Sequence, residues 1–358
     1  MFVAWRELRF ARGRFVLIGS VVALITVLVG FLTGLTGGLA AQNVSALLGL
    51  PGDRIVLQQQ PSGTATFSES AISPSVQEQW RSSPGVRSVT PIGIAQTRAA
   101  HGSTGTGVAI FSVPTGAPAS TVSDLAPATD EEIGLSAGAA DALHAGTGDT
   151  VSLGGSQYRV SRVGGDAWYS HTPVIAMTPA AWAAFDKRTG GDGLATLLAV
   201  QGDPDWSAVA KATHTVAQPP LSALPHLETF RSEIGSLALM VAMLFGISAL
   251  VVGAFFTVWT MQRAADIAVL KALGASTNTL MRDALGQALV VLVAGVGAGL
   301  LIVVGLGLLV SGALPFMVNA FTTAVPALAM VLLGLAGAAV ALRTITKADP
   351  LTALGSNR

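Results

Sequence analysis

No cysteine occurs anywhere in the 358 residues. That excludes a disulfide framework, a thiolate metal site and a cysteine nucleophile. Charge is also scarce. Only 11% of the residues are Asp, Glu, Lys or Arg, against roughly 25% in an average soluble domain. With 51% hydrophobic residues, so little charge cannot coat a water-facing surface of this size, so much of the chain is expected to lie in lipid. No lysine follows a glycine: the four lysines come after Asp186, Ala210, Leu270 and Thr346. A phosphate-binding P-loop needs Gly-Lys-Ser/Thr, so the chain cannot be an ATPase of that kind. The five histidines, His101, His144, His171, His214 and His226, have no metal-ligand spacing. They read as surface or turn residues, and no intrinsic metal is expected. The formal net charge of +0 points to no nucleic-acid partner.

The hydrophobic residues fall into four long runs. Each exceeds or matches the ~20 apolar residues needed to cross a bilayer core. The first, 15–41, is too long for the ~7–15-residue apolar region of a signal peptide. Ahead of it, residues 1–14 mix Arg6, Arg9, Arg12 and Arg14 with Phe2, Trp5, Leu8 and Phe10, the pattern of a cytoplasmic interfacial helix. The other runs are 233–261, 284–312 and 321–342, with a polar turn around Pro315 and Asn319 between the last two. Residues 262–283 form a cytoplasmic connector and 343–358 a cytoplasmic tail. With the N-terminus inside, the cytoplasmic parts carry ten basic and four acidic residues; the remainder carries ten and sixteen. The positive-inside rule then places both termini in the cytoplasm and residues 42–232 outside. Gly30, Gly34 and Gly38, like Gly295 and Gly299, recur every fourth residue. That spacing lets helices approach closely, within one chain or across a dimer seam.

Residues 42–232 read as an α+β domain. Strands are expected at 54–58, 86–97, 107–113, 150–153, 158–163 and 174–177, bounded by Gly, Pro and Ser. Helices are expected at 75–82, 136–144, 179–187 and 206–214, and mobile turns at Ser62–Gly63 and Gly102–Gly107. The fold class is therefore a membrane protein with four transmembrane α-helices and an α+β extracytoplasmic domain inserted between helices 1 and 2. Within that domain Gly134-Leu135-Ser136-Ala137-Gly138 matches the nucleophile-elbow pattern, with Asp141 and His144 nearby. In hydrolases the acid and the histidine come from distant strands. Ser136 is read instead as a helix cap, and no catalytic residue is assigned.

The stretch after the second run reads Met261-Gln-Arg263-Ala-Ala-Asp266-Ile267-Ala-Val-Leu270-Lys271-Ala272-Leu273-Gly274-Ala275. It resembles the cytoplasmic segment of the FtsX/MacB-type ABC transporter permeases, with Asp266 where Glu is commoner. The tail Asp349-Pro350-Leu-Thr-Ala353-Leu354, the lead-in Trp5-Arg6-Glu7-Leu8-Arg9 and the segment 132–163 around Gly148-Asp149-Thr150-Val151 are similar to the same family. The resemblance implies a homodimer of permease chains in the lipid bilayer with two copies of a separate ABC ATPase subunit, which binds the ATP. It also implies mechanotransmission, in which ATPase closure moves the outer domains. Arg263, Asp266, Ile267, Leu270, Lys271, Leu273 and Gly274 would form the ATPase-coupling segment. An amphipathic helix with Ile267, Leu270 and Leu273 on one side can enter a groove on a partner, and Gly274 suits its C-terminal cap.

Within the family the modest outer domain and the run Asp166-Ala-Trp168-Tyr169-Ser170-His171-Thr172-Pro173 most resemble the haem-exporting branch, in its actinobacterial versions. Haem is flat and apolar, with two propionates and an iron that takes axial ligands. Around the entry to the second run lie His226, Glu228, Arg231 and Glu233, then Met240 and Met243. With Tyr169, the residues His226, Glu228, Arg231, Met240 and Met243 are the substrate candidates, Arg231 for a propionate and the others for iron. Each also has a structural reading: an ion pair between Glu228 and Arg231, packing filler for the methionines, a folded-domain role for Tyr169. There is no CxxCH, so haem would be a transported substrate and not a covalent cofactor. Two further readings are an FtsX-like regulator of an extracytoplasmic partner and an exporter of a peptide or lipoprotein.

Overall fold

In the computed structural model, residues 12–262, 269, 274, 276–310 and 314–346 are described. The chain divides into two compact units. One holds the residues up to Gly38 and those from Ser236 onward; the other is Leu39–Gly235.

The first unit consists of long apolar helices: α1 (Arg12–Leu48, whose last turns belong to the second unit), α7 (Glu228–Gln262, whose first turns do), α8 (Thr277–Val310) and α9 (Ala320–Thr346). All four are long and apolar enough to cross a membrane. They share one buried cluster, to which α1 gives Val22 and Val29, α7 Val252 and Phe256, α8 Leu292 and Val296, and α9 Met330 and Ala338. Glycine lets the backbones meet. A Cβ at Gly30 would fall 2.8 Å from a Val303 methyl, and one at Gly295 2.9 Å from Gly19 O. At Gly34 it would run into the Phe316 ring, and at Gly38 into the Pro315 carbonyl. Both glycine series thus pack within the chain. The polar turn forms as expected: Asn319 Oδ1 accepts from Thr322 N at 2.9 Å, capping α9, and Asn319 N donates back to Thr322 Oγ1 at 3.1 Å.

The helices overrun the apolar boundaries. α1 continues past Ala41 to Leu48, α7 starts at Glu228 instead of 233, and α8 starts at Thr277 instead of 284. Hydropathy marks where side chains turn polar, but a backbone ladder continues until something stops it. For α1 that is Gly49, ahead of Pro51. The outer segment 42–232 therefore takes in helical turns at both ends, and the connector 262–283 gives up its last seven residues to α8.

The second unit is the α+β domain. One antiparallel sheet runs β11-β1-β10-β2, from β1 (Arg54–Gln58), β2 (Val86–Ile92), β10 (Leu197–Gly202) and β11 (Thr215–Gln218). The other runs β4-β3-β6-β7-β5-β9-β8. It comprises β3 (Ile94–His101), β4 (Thr104–Ser112), β5 (Glu132–Leu135), β6 (Thr150–Leu153), β7 (Ser156–Val163), β8 (Trp168–Tyr169) and β9 (Thr172–Met177). β4 also pairs in parallel with β9, from Ala109 opposite Val174 to Ser112 opposite Met177, so the sheet closes on itself. β4 and β9 are buried on both faces, which explains their unbroken apolar runs. Val108, Ile110, Ile175 and Met177 enter one core; Ala109, Phe111, Val174 and Ala176 enter the other.

The helices of this domain are α2 (Pro74–Arg81), α3 (Ala137–Leu143), α4 (Pro179–Arg188), α5 (Trp206–Ala212) and the single turn α6 (Pro220–Ala223). Ser73, Ser136, Thr178 and Asp205 cap the first four by accepting from N–H groups of the first turn. The strand expected at 86–97 is two strands broken at Gly93, where the Trp182 ring leaves no room for a Cβ. The turn expected at Gly102–Gly107 narrows to the hairpin tip between His101 and Thr104, because β4 begins there.

Candidate functional site

Within the second unit the last turns of α1, the first turns of α7 and the β8–β9 hairpin converge. The hairpin tip is Ser170–His171, with φ of 49° and 62°. Two consecutive left-handed residues make the two-residue turn that usually takes Asn-Gly; two non-glycine residues there store strain. What holds them is α1. Trp168 N donates to Ser45 Oγ at 2.9 Å, Ser170 N to Asn43 O at 2.9 Å and His171 N to Gln42 O at 3.0 Å.

Side chains tie the same point to α7. His171 Nε2 lies 2.8 and 3.0 Å from the two Glu233 oxygens. Asn43, 1% exposed, donates from Nδ2 to Glu233 at 3.1 Å and accepts from Thr229 Oγ1 at 3.0 Å. Ser170 Oγ donates to Thr229 Oγ1 at 3.2 Å. A buried amide with both ends engaged fixes the register of the two helices. Asn43, Thr229, His171 and Glu233 were not among the sequence candidates. The only sequence signals for them were the run 166–173 and the acidic residue at 233.

The sequence candidates divide. His226 Nδ1 is 2.6 Å from Ala65 O, and Phe67 N donates to His226 O at 3.4 Å. Ser68 Oγ donates to Glu228 at 3.4 Å. Tyr169, 7% exposed, meets Phe67 and Phe111 edge-on at 6.5 and 5.6 Å. Segment 65–68 and its surroundings thus gather His226, Glu228 and Tyr169. Burial first, and then the Glu228 charge, hold the Tyr169 phenol above its ordinary value. This opposes the phenolate that iron ligation uses. Arg231 is exposed. Among the described residues, ion pairs join Arg81 to Glu78, Arg87 to Asp53 and His171 to Glu233, and the pair expected between Glu228 and Arg231 does not form. Met240 and Met243 are 52% and 60% exposed in the single chain; they belong to the first unit, on the same helix as Glu228.

Of the coupling segment, Arg263, Asp266, Ile267, Leu270, Lys271 and Leu273 lie outside the described residues. Gly274 is an exposed turn with φ of 95°. That is the left-handed conformation expected of a C-terminal glycine. Ser136 is 0% exposed, and its Oγ accepts from Ala139 N at 3.3 Å and Val174 N at 3.1 Å. Its glycines serve packing: Cβ atoms at Gly134 and Gly138 would strike the Leu125 carbonyl and the Trp168 ring.

Four helices long and apolar enough to cross a membrane, with an α+β domain between the first two, define the architecture of the chain. Residues 238–350 match the FtsX-like permease C-terminal family. Over this C-terminal stretch the chain is similar to FtsX-like permeases, and over its full length it is similar to proteins that carry the name of transport permeases. It is 25% identical, over 99% of each chain, to a Staphylococcus haemolyticus protein that carries the name hemin transport system permease protein HrtB. The protein so named in Staphylococcus epidermidis is 24% identical over 100% of each chain. An uncharacterized ABC transporter permease of Mycobacterium tuberculosis is 24% identical over 99% of each. Among solved structures, the periplasmic region of MacB from Actinobacillus actinomycetemcomitans aligns with 49% of this chain and 92% of its own length, at 12% identity and a TM-score of 0.34.

Proposed function

We propose that the chain works as a homodimer carrying two copies of a separate ABC ATPase and exports haem or a similar membrane-partitioned hydrophobic compound. The observation that carries the reading is the full-length similarity to the staphylococcal relatives named for hemin transport. Both termini are cytoplasmic in this reading, on the charge distribution given above. Arg263, Asp266, Ile267, Leu270, Lys271, Leu273 and Gly274 receive the stroke of the ATPase. Glu228 and Arg231 are exposed polar groups for iron or propionate, and Met240 and Met243 are exposed sulfurs on the same helix. Tyr169 and His226 support the segment beside Glu228 and do not themselves ligate. α1 and α7, joined through Asn43 and Glu233, transmit the stroke to the outer domain.

The test is a deletion strain challenged with haem, complemented by the wild-type chain or by variants. Restored resistance with wild type is expected. Arg263→Glu should abolish resistance and substrate-stimulated ATP hydrolysis in nanodiscs. Glu228→Gln with Arg231→Gln should lose resistance but keep ATPase assembly. A deletion strain that grows normally in haem would remove the haem substrate while leaving the permease reading intact. An FtsX-like role then becomes the reading to pursue, given the family that matches residues 238–350. Its mark is co-purification of a wall hydrolase with the full chain.

A further inference from the structure

The β8–β9 hairpin has little of its own to hold it. β8 is two residues long, and one of its two partners, Pro173, has no N–H to offer. The base of the hairpin is fixed from behind. There the buried Tyr169 ring meets Phe67 and Phe111, and Val174 N donates to Ala167 O at 3.0 Å. The tip, Ser170–His171, lies between that anchor and β9, and both of its residues are half-buried.

Both tip residues hold φ in the left-handed region, at 49° and 62°. That region is costly for any residue with a Cβ. A two-residue hairpin loop adopts it because an ordinary turn would splay the strands. Splaying costs little where one strand has only two residues, so the hairpin itself gives the tip weak reason to stay. The reason lies outside. Ser170 N and His171 N donate to Asn43 O and Gln42 O of α1, at 2.9 and 3.0 Å. Their side chains reach Thr229 and Glu233 of α7. The strained turn thus aims two adjacent N–H groups at one helix end and two adjacent side chains at the other. A turn with both φ negative rotates these peptides and loses that aim.

We propose that the Ser170–His171 tip is a strained latch. Docked, it clamps the end of α1 to the start of α7. Flipped to an ordinary turn, it frees both while Tyr169 stays seated. The contacts to the two helices offset the strain of the docked turn, so the two states lie close in free energy. Parting of the helix ends breaks the contacts and lets the turn relax; their return forms it again. In that use, which rests on the export reading above, the latch opens and closes with each stroke.

The first experiment needs neither an ATPase nor haem. Hydrogen exchange of the full chain in nanodiscs compares the Ser170 and His171 amides with those of Ile175 and Ala176 in β9. The tip amides should exchange about a hundredfold faster, through local opening. Ser170→Asn introduces a residue that tolerates the left-handed region, and should slow that exchange about tenfold. Ser170→Thr keeps the hydroxyl but branches the side chain at Cβ, and should speed it about tenfold. A tip that only makes contacts gives no such opposite shifts. Tip amides as protected as those of β9, or two variants that shift exchange the same way or not at all, overturn the latch.

The second experiment takes the chain assembled with its ATPase. The sequence has no cysteine, so Gln42→Cys with His171→Cys offers a single pair for a short, cleavable thiol-bridging reagent. Bridging should stop ATP hydrolysis by the assembly, and cleaving the bridge should restore it. Hydrolysis that continues with the bridge in place shows a joint that stays shut, and overturns the latch's part in the stroke. A wild-type chain that assembles with no ATPase sinks the export reading instead, and the exchange measurement then decides the latch by itself.

Discussion

In the membrane unit, Gly38 lies so close to the Pro315 carbonyl that a single methyl would not fit; in the outer domain, Phe111 fills a core with a whole ring. The outer unit closes in the way water rewards. It hides large side chains such as Trp80, Phe111 and Phe185, each at most 1% exposed. The membrane unit leaves large side chains outside, with Leu309 and Phe321 81% and 80% exposed. Its close helix contacts come at glycines instead. Lipid is as apolar as leucine, so burial of leucine gives helices no reason to associate, and fit between backbones must supply it. In the outer domain the transfer of apolar area out of water does that work. A given change of side-chain volume should therefore have opposite consequences in the two units.

The largest effect expected is truncation in the outer domain. Phe111→Ala should cost ~3–5 kcal/mol, read as a shifted denaturation midpoint of the near-ultraviolet signal, with the helical signal in detergent retained. Enlargement should do the damage in the other unit. Gly38→Ala should cost ~1–3 kcal/mol by overpacking, whereas Gly297→Ala, with nothing within 4 Å, should be silent in the same detergent-unfolding assay. Equal effects at Gly38 and Gly297 would break the comparison. Next comes Ser136→Ala, which removes the cap of α3 and the acceptor for Val174 N. A loss of ~1 kcal/mol is expected, with transport intact; abolished function at full stability would revive a catalytic serine.

The smallest effect concerns pH. The Tyr169 phenol is raised in the folded state, by burial and then by Glu228. The folded chain therefore keeps that proton while the unfolded chain loses it, and stability present below the ordinary phenol value of 10.0 drains away as pH rises beyond it. Tyr169→Phe should flatten that alkaline decline in thermal melts.

How much of this could be read from the sequence follows from how local each cause is. The four spans, the polar turn at Asn319 and the cap at Ser136 rest on neighbours within a few residues, and all were legible. So were β1 and β6, to the residue. β10 and β11 were missed. Leu197-Leu198-Ala199-Val200 is buried throughout and shows no alternation, and Thr215–Gln218 is only four residues long. The closure of the large sheet depends on β4 meeting β9 across more than sixty residues of chain, which no periodicity announces. The functional residues fared likewise. Tyr169 looked like a ligand because its run was unusual, but its ring faces Phe67 and Phe111. Asn43 went unnoticed because its partners, Thr229 and Glu233, lie on another helix.

The seating of β8 on α1 rests on three peptide N–H donors, those of Trp168, Ser170 and His171. Peptide donors are common to every amino acid but proline. Relatives could therefore exchange most letters of this stretch and keep the joint, while an imino acid at any of the three would unfasten it. Divergence in spelling here is a poor guide to divergence in mechanics.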